Sequence, residues 1–314
     1  MMQSMFLRRA MLALLLMFAA TALTFAIVTA APGNVAALIA ERAAGAGADG
    51  AMIKRIADDL GLNDPLPVRY VRWLGKAATG DLGESLRTGK PMWDEFAERI
   101  PVTALLLTGG GVLAFFLSLG LGLWGAVSNG GVVDRLLHGF ALLGASSPNF
   151  FVAALLVIVF AVGLRWVPSF GLSGLSSWIL PWITIALFPA SVLARVVRVN
   201  LQDAMSRPFA TTGFSKGFSR AQVLLREALP NIAIPFITTF GAQFTLMIIG
   251  AIVVERVFGL NGVGAFFIEA IRFRDFVGMQ AVLTLFVVFF VSVNLLVDFI
   301  AMFADPRLRR ARRA

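Results

Sequence analysis

The stretch SRPFATTGFSKGFSRAQVLLREALPNIAIP, residues 206–235, is a polar and basic island in a strongly apolar chain. Pro208 suits the first turn of a helix, because its missing N–H would have no partner there anyway. Gly217 is placed to end that helix in a left-handed conformation, and Ser219 is placed to cap a second helix that carries Val223. Two short helices set at an angle form a knob rather than a span, which is a shape for docking a partner.

The two prolines near the end of this stretch predict where the knob stops. Pro230 and Pro235 lie where the chain re-enters an apolar segment. Prolines commonly mark the ends of helices and the start of turns. We therefore predict that they interrupt the chain between the knob and the next span.

The composition of the whole chain is that of a membrane protein. Of its 314 residues, 58% are hydrophobic and only 14% are charged, and the mean hydropathy is +0.84. Several apolar runs reach the length of about 18 residues at which a run becomes a candidate transmembrane helix. A single large soluble domain is therefore excluded.

Reactive side chains are few. The chain has no cysteine and one histidine, His138, so neither thiolate metal sites nor a histidine-based catalytic or zinc centre is expected. The net charge of +9 is compatible with nucleic acid, but the basic residues lie at membrane boundaries and no aromatic-basic binding module accompanies them. We predict no catalytic residue, no bound cofactor and no metal site in this chain, and a lipid bilayer rather than nucleic acid as its surroundings.

Six apolar runs predict six transmembrane helices in an all-α polytopic protein. The first, Ala10–Ala31, follows Arg8 and Arg9; its ~22 residues exceed the apolar region of roughly 7–15 residues found in signal peptides, so we expect it to be retained. The other five are Val102–Val127, Gly139–Gly163, Trp178–Val199, Phe236–Val254 and Met279–Phe303. Pro148 and Pro189 lie within two of these runs and predict kinks there.

Positive charge in the short loops predicts the orientation. With the N-terminus inside, the inner segments carry fourteen Arg and Lys residues, and the short outer loops carry only four. Cytoplasmic loops of membrane proteins carry the excess of basic residues. Both termini are therefore predicted to be cytoplasmic.

Residues 32–101 form a separate soluble segment after the first span and hold ten of the eighteen acidic residues. Apolar residues recur there at helical spacing, first Met52, Ile53, Ile56 and Leu60, then Val68, Val71 and Leu74. We predict a helical extracytoplasmic insert at 32–101, between an N-terminal segment with the first span at 1–31 and a five-helix core at 102–314. The core contains the cytoplasmic loop 200–235 and ends in a basic tail.

Few polar residues lie within the predicted spans. The notable ones are Ser146, Ser147, Asn149, Gln243, Thr245, Asn294 and Asp298. Asn149, Gln243 and Thr245 are candidates to line a translocation path, with interhelical hydrogen bonding as the alternative for the latter two. Asn294 and Asp298 are four residues apart and share a helix face, so we predict a structural polar pair.

The segment at 206–235 resembles the cytoplasmic coupling loop of ABC importer permeases, the EAA loop. That pattern has a Glu-Ala-Ala-like triplet, three further residues, a glycine and, ten residues later, Ile-x-Leu-Pro. The matching positions here are Thr211, Thr212 and Gly213, then Gly217, then Leu229 and Pro230. Two departures are Thr211 in place of Glu and Glu227 in place of Ile. The resemblance implies docking on an ATPase, and the side chains expected on the docking face are Phe209, Thr212, Phe214 and Lys216.

A second resemblance, to the permeases of dipeptide, oligopeptide and nickel importers, covers nearly the whole chain. It is carried by residues 60–70, 80–85, 147–150, 255–264, 270–276, 294–298 and 305–307. The stretch 255–264 reads ERVFGLNGVG, whose glycines allow a tight outer turn before a helix from Val263 to Ile271. The resemblance implies a multi-pass protein of the bacterial cytoplasmic (inner) membrane.

The sequence contains no ATP-binding signature. A Walker A loop needs Gly-x4-Gly-Lys-Ser/Thr, and no lysine of this chain is followed by Ser or Thr. The resemblance therefore implies that ATP and Mg²⁺ are bound by two separate ATPase subunits, and that this chain is not itself an enzyme. It also implies a second homologous permease subunit and an extracytoplasmic substrate-binding protein as partners.

The predicted function is that of a permease subunit of an ATP-driven importer, forming half of a pathway for peptides by alternating access. Importers of nickel or a metal chelate share the same motifs and stay open as alternatives. A secondary transporter or channel would need buried ion-coupling charges and often an internal repeat, and neither is evident. A membrane enzyme would need a cluster of acid/base, nucleophilic or metal-binding residues in the spans, which is not evident either.

Overall fold

The computed structural model describes residues 2–31, 33, 35–44, 49–128, 135, 139–142, 144 and 146–304. Within these ranges the secondary structure is helical, and the only extended pairing is an isolated bridge between Glu84 and Pro91. His138 and the predicted basic tail lie outside the described residues. The predicted all-α class is confirmed for the part of the chain that is described.

The described helices occur in the following order along the chain. The first five are α1 (Met2–Ala30), α2 (Val35–Ala44), α3 (Gly50–Asp59), α4 (Leu66–Ala78) and α5 (Met92–Val127). Next come α6 (Asn149–Leu156), which continues as a π-helix (Val157–Gly163), then a 3₁₀ turn (Leu175–Trp178) and α7 (Ile179–Met205). The last are α8 (Pro208–Ser215), α9 (Arg220–Val223), a second π-helix (Leu224–Ala228), α10 (Leu229–Phe258), α11 (Val263–Arg272) and α12 (Phe276–Ala304).

Within the described ranges, five helical stretches are long and apolar enough to cross a membrane. They are Leu7–Ala30, Met92–Val127, Leu175–Met205, Arg220–Phe258 and Phe276–Phe303. Each overlaps a predicted span, and the last four extend beyond the predicted ends, since a helix keeps its backbone hydrogen bonds outside the hydrocarbon as well. The remaining predicted span, Gly139–Gly163, falls partly outside the described residues. Its helix from Asn149 has 8 α-helical and 7 π-helical residues, a length of about 22 Å.

Pro148 does not kink a helix, as the sequence predicted, but begins one. It is the N-cap of α6 with an extended ψ of 140°. The residue before a proline is disfavoured in the α conformation, and Ser147 accordingly lies outside the helix. The chain is therefore broken at Ser147–Pro148. Pro189, by contrast, lies inside α7, and the kink predicted there stays a prediction.

The chain divides into two compact units, and in the first of them α4 packs against α1. This unit falls within Met1–Pro101 and Ala265–Val291. The hydroxyl of Tyr70 lies 2.9 Å from Oγ1 of Thr21 and donates a hydrogen bond to a carbonyl oxygen of α1 at 3.1 Å. Val68, which the sequence placed on the apolar face of α4, is 48% exposed. The helix was predicted correctly but its buried face was not, because the large ring of Tyr70 buries more apolar area and its hydroxyl finds a partner.

Also in the first unit, Asp275 holds together two distant stretches of sequence. Its Oδ1 accepts hydrogen bonds from the N–H of Gly278 at 2.8 Å, at the start of α12, and from the N–H of Leu86 at 3.0 Å. Its Oδ2 accepts a hydrogen bond from Oγ of Ser85 at 2.5 Å. Both Ser85 and Asp275 are buried. The segments around them, 190 positions apart, therefore form one local structure.

The second unit falls within Val102–Gly264 and Ser292–Ala314, and its helices approach closely at glycines. A Cβ on Gly122 of α5 would lie 2.5 Å from Cβ of Val197 on α7. Small residues of this kind let the backbones of membrane helices come together. Near these helices lies a buried cluster, which we call the inner core: Ala126, Leu193, Val197, Leu201, Ala204, Leu224, Ala228, Ile232 and Phe236.

Candidate functional site

The predicted coupling segment is a short helix that ends in a tight turn. Pro208 lies in the first turn of α8. Gly217 follows the helix in a left-handed conformation, with φ of +82°. Its N–H donates to the carbonyl of Phe214 at 2.9 Å, while the N–H of Phe218 donates to that of Gly213 at 3.2 Å, the paired bonds of a Schellman motif. The predicted left-handed conformation of Gly217 is confirmed.

Ser219 caps the second helix, as predicted. Its Oγ accepts a hydrogen bond from the N–H of Gln222 at 3.3 Å, and Oε1 of Gln222 accepts one from the N–H of Ser219 at 2.8 Å. This reciprocal pair is a capping box. The turn between α8 and α9 is therefore defined on both sides by hydrogen bonds.

The chain does not break at Pro230 or Pro235, contrary to the prediction. The backbone is helical without interruption over Arg220–Phe258, and it passes through the π-helix Leu224–Ala228 on the way. The N–H of Leu229 donates to the carbonyl five residues back. Pro230 is exposed and lies in the first turn of α10, where the wider π turn accommodates its missing donor.

One side of the coupling segment is anchored in its own unit. Gly213 of α8 and Val223 of α9 are buried, and a Cβ on Gly213 would lie 3.1 Å from Cγ2 of Val223. Phe209 and Leu229 are half-buried and pack against the inner core. Phe209 therefore holds α8 to the spans and does not lie on the expected docking face, because its neighbour Ala210 and Gly213 also face inward.

The other side of the segment is exposed. The predicted residues found there are Thr211, Thr212, Phe214, Lys216 and Gly217. The hydroxyl of Thr212 donates to the carbonyl of Pro208 at 3.1 Å, so it is already used within α8. Phe214 is 44% exposed. Phe214 in α8 and Lys216 at its C-cap are both exposed, so the segment offers a partner an apolar side chain and a charge.

A second candidate site is a cavity of about 500 Å³ in the second unit. It is lined by residues of α6, α7 and α10 and by the break that precedes α6. Two of the three candidates for a translocation path, Asn149 and Gln243, line this cavity, whereas Thr245 does not; that any of them lines a translocation path stays a prediction. Thr245 is 2% exposed, and its hydroxyl donates to the carbonyl of Gly241 at 2.8 Å. Positions two apart on a helix point about 200° away from each other, so Gln243 and Thr245 cannot share a face.

The predicted polar pair lies on α12. Asn294 and Asp298 are half-buried, in the part of the helix that belongs to the second unit. Each has an interaction partner. That they bond to one another stays a prediction.

The structure adds a buried polar cluster that the sequence reasoning missed. Glu255, in the last turn of α10, is fully buried, and its Oε1 accepts a hydrogen bond from Oγ1 of Thr103 at 2.6 Å. The same Oγ1 accepts a hydrogen bond from the N–H of Val263, the first residue of α11, at 2.9 Å. A Cβ on Gly262 would overlap the carboxyl of Glu255, so a larger residue there would have to displace this buried side chain. The signal in the sequence was one acid at the end of an apolar run, followed by three glycines.

Long apolar helices, an anchored surface knob and a cavity among the helices define a polytopic membrane protein built as a permease. The chain belongs to the family described as the binding-protein-dependent transport system inner membrane component, which matches residues 118–310. The N-terminal family of the same transport systems matches residues 1–107. The protein is therefore a multi-pass subunit of an ABC importer in the inner membrane. Permeases of this family are not themselves enzymes and work with ATPase and substrate-binding partners.

Three relatives are similar over nearly their whole length. A probable peptide ABC transporter permease of Sinorhizobium fredii is 33% identical, with 91% of this chain and 92% of the relative covered. The glutathione transport system permease protein GsiC of Escherichia coli is 34% identical, with 93% and 94% covered. A putative peptide transport system permease protein of Brucella melitensis is 35% identical, with 98% and 99% covered.

A solved structure shares the fold. The inward-facing MetNI methionine ABC transporter has a chain that matches with a TM-score of 0.59 at 16% sequence identity. The match covers 68% of this chain and 98% of that chain. The permease fold is thus shared well beyond detectable similarity in sequence.

Proposed function

We propose that this chain forms one half of a translocation pathway for short peptides, with a second permease subunit as the other half. The substrate class is inferred from the names of the relatives. Two are named for peptides and one for glutathione, which is itself a tripeptide. The similarity extends over more than nine-tenths of this chain in all three, so it includes the spans as well as the coupling segment. These names favour a peptide over nickel or a metal chelate.

We further infer that the exposed side of α8 docks on one of two ATPase subunits, which bind ATP and Mg²⁺. Support comes from the two unlike sides of the segment. Phe209 packs on the inner core, which includes Leu201 of α7 and Phe236 of α10, while Phe214 faces outward. A displacement of the exposed side is therefore transmitted through packed side chains to α7 and α10. Movement of these two helices is how ATP hydrolysis in the ATPase subunits would open the pathway alternately to each side of the membrane.

The proposed topology has six spans, both termini in the cytoplasm and the insert 32–101 outside. The excess of fourteen basic residues over four in the short loops supports it. This orientation places α8 on the side where ATP is available. It also places α2, α3 and α4 on the side from which a substrate-binding protein delivers its load.

The experiment that tests the substrate is uptake by the complete transporter. The permeases, ATPase subunits and binding protein are reconstituted in proteoliposomes, and uptake of radiolabelled tri-alanine is measured with and without ATP. We expect uptake that needs both ATP and the binding protein and is not competed by Ni²⁺. Uptake of radioactive nickel without any uptake of the peptide would contradict the proposal.

A further inference from the structure

The cavity in the second unit has an uncharged lining. None of the described residues that line it is Asp, Glu, Lys or Arg. Its polar groups come from Ser146, Ser147, Asn149 and Gln243. The rest of the wall is apolar and includes Phe188 and Met247. The described lining therefore combines hydrogen-bonding side chains with apolar surface and contains no charged side chain.

The break at Ser147–Pro148 lies in the wall of this cavity. Within a membrane, non-helical backbone is tolerated only where it is buried in protein or lines a cavity that admits water. Pro148 has no N–H, so the start of α6 cannot pair with the preceding turn in the usual way. The break therefore lies where backbone groups and serine hydroxyls could form hydrogen bonds with a polar solute.

The two carboxamides in the cavity are held in different ways. Oε1 of Gln243 is buried and has no hydrogen-bond partner among the residues that the structure describes. A buried polar atom left unpaired is costly, so a bound water or a polar group of a ligand would stabilise it. Asn149 lies over Gly250 of α10, since a Cβ on that glycine would come within 2.6 Å of Nδ2 of Asn149. Glycine at position 250 therefore leaves the room that the Asn149 amide occupies.

We propose that this cavity is a transient binding site for the backbone amides of the transported peptide, with Asn149 and Gln243 as its hydrogen-bonding residues. The inference rests on the proposed function and adds the part of the peptide that the permease contacts. A carboxamide has both donors and an acceptor, so it pairs with a peptide group in either direction. The apolar wall accepts side chains of varied shape. Because none of the described lining residues is charged, we expect this site not to select peptides by their charge.

The first test is photo-crosslinking during turnover. Phe150 and Phe151 are consecutive on α6 and similarly exposed, 59% and 54%, but only Phe150 lines the cavity. Each is replaced in turn by benzoylphenylalanine in the complete transporter, which is illuminated while it takes up radiolabelled tri-alanine. We expect labelling at position 150 and little at position 151. Equal labelling at both, or none at position 150 in a complex that takes up the peptide, overturns the proposal.

The second test removes one carboxamide. Gln243→Leu should lower both peptide uptake and labelling at position 150 by about tenfold, the factor that corresponds to about 1.4 kcal/mol. Thr245→Val is the matched control, because Thr245 points away from the cavity on the same helix. Co-purification of the ATPase subunits and the second permease with each variant shows that both variant complexes assemble. Wild-type uptake in Gln243→Leu refutes the amide site alone, whereas a wild-type complex that never takes up tri-alanine refutes the proposed function, and the amide site with it.

Discussion

Adding a side chain at Gly217 is expected to uncouple ATP hydrolysis from the permease. Its φ of +82° suits glycine, and there is open space where a Cβ would lie. Gly217→Val therefore strains the turn by roughly 1 kcal/mol or more without causing a clash. The displaced turn would misplace Phe214, so we expect stimulated ATP hydrolysis by the reconstituted complex to be abolished, with normal expression and membrane insertion.

Gly171 provides a control for this substitution. It too has a positive φ, +75°, and nothing within 4 Å of its Cβ position, but it lies outside the coupling segment. Gly171→Val imposes the same kind of backbone strain and should leave coupling near wild type. Wild-type coupling in both Gly217→Val and Phe214→Asp would show that α8 is not a docking element.

Glu255 is a second residue at which a small change should have a large effect, here on stability. In Glu255→Ala the hydroxyl of Thr103 loses its buried acceptor, at a cost of about 1–3 kcal/mol. Gly262→Ala should also destabilise, because the new methyl group would overlap the carboxyl. Gly75→Ala, in α4 with nothing near its Cβ position, should be neutral or slightly stabilising. Thermal unfolding of the purified permease measures all three, and a Gly262→Ala variant as stable as wild type would contradict the close packing.

At the scale of elements, the contact between α4 and α1 is a test of which face of α4 is buried. Tyr70→Phe keeps the ring but removes the hydroxyl that pairs with Thr21, so we expect a loss of about 1 kcal/mol in stability. Val71→Ala should have almost no effect, because Val71 is 66% exposed. Thermal unfolding measures the stability of both variants. A larger loss of stability in Val71→Ala than in Tyr70→Phe would indicate that the face predicted from the sequence is the buried one.

The elements that could be predicted from sequence are those fixed by local chemistry. The left-handed Gly217 and the capping Ser219 depend on residues within a few positions, and both were correct. The prolines were harder. Whether a proline bends a helix, begins one, as at Pro148, or follows a π turn, as at Pro230, depends on which backbone groups nearby find other partners.

The features that could not be predicted depend on contacts between residues that are far apart in the sequence. Thr103 and Glu255 are 152 positions apart, so nothing in the sequence of this one chain indicates that they form a hydrogen bond. Asn149 and Gln243 were each singled out as polar residues in a span, but only the folded chain shows that they line one cavity. Helical spacing alone separates Thr245 from Gln243, so the sequence already indicates that these two side chains do not line the same cavity.

Over the whole molecule, the long helices differ greatly in how much of their surface the chain itself covers. Each stretch contains an apolar segment of 18 residues. Of that segment, 56% is buried in Leu175–Met205, compared with 11% in Leu7–Ala30 and none in Phe276–Phe303. The Leu175–Met205 stretch is therefore covered more fully by the rest of the chain than the other two. The other two present apolar surface to their surroundings, which suits lipid and the proposed second permease.

The proposed topology can be tested with single cysteines, because the chain has none of its own. Thr79 directly follows α4 and Ser215 ends α8, and both are exposed. If both termini are cytoplasmic, an impermeant maleimide should label Thr79→Cys in intact cells and Ser215→Cys only after permeabilisation. Labelling of both after permeabilisation is the control for reactivity. Labelling of Ser215→Cys in intact cells would place α8 on the outside, where no ATPase subunit can reach it, so this one measurement bears on the coupling proposal as well as on the topology.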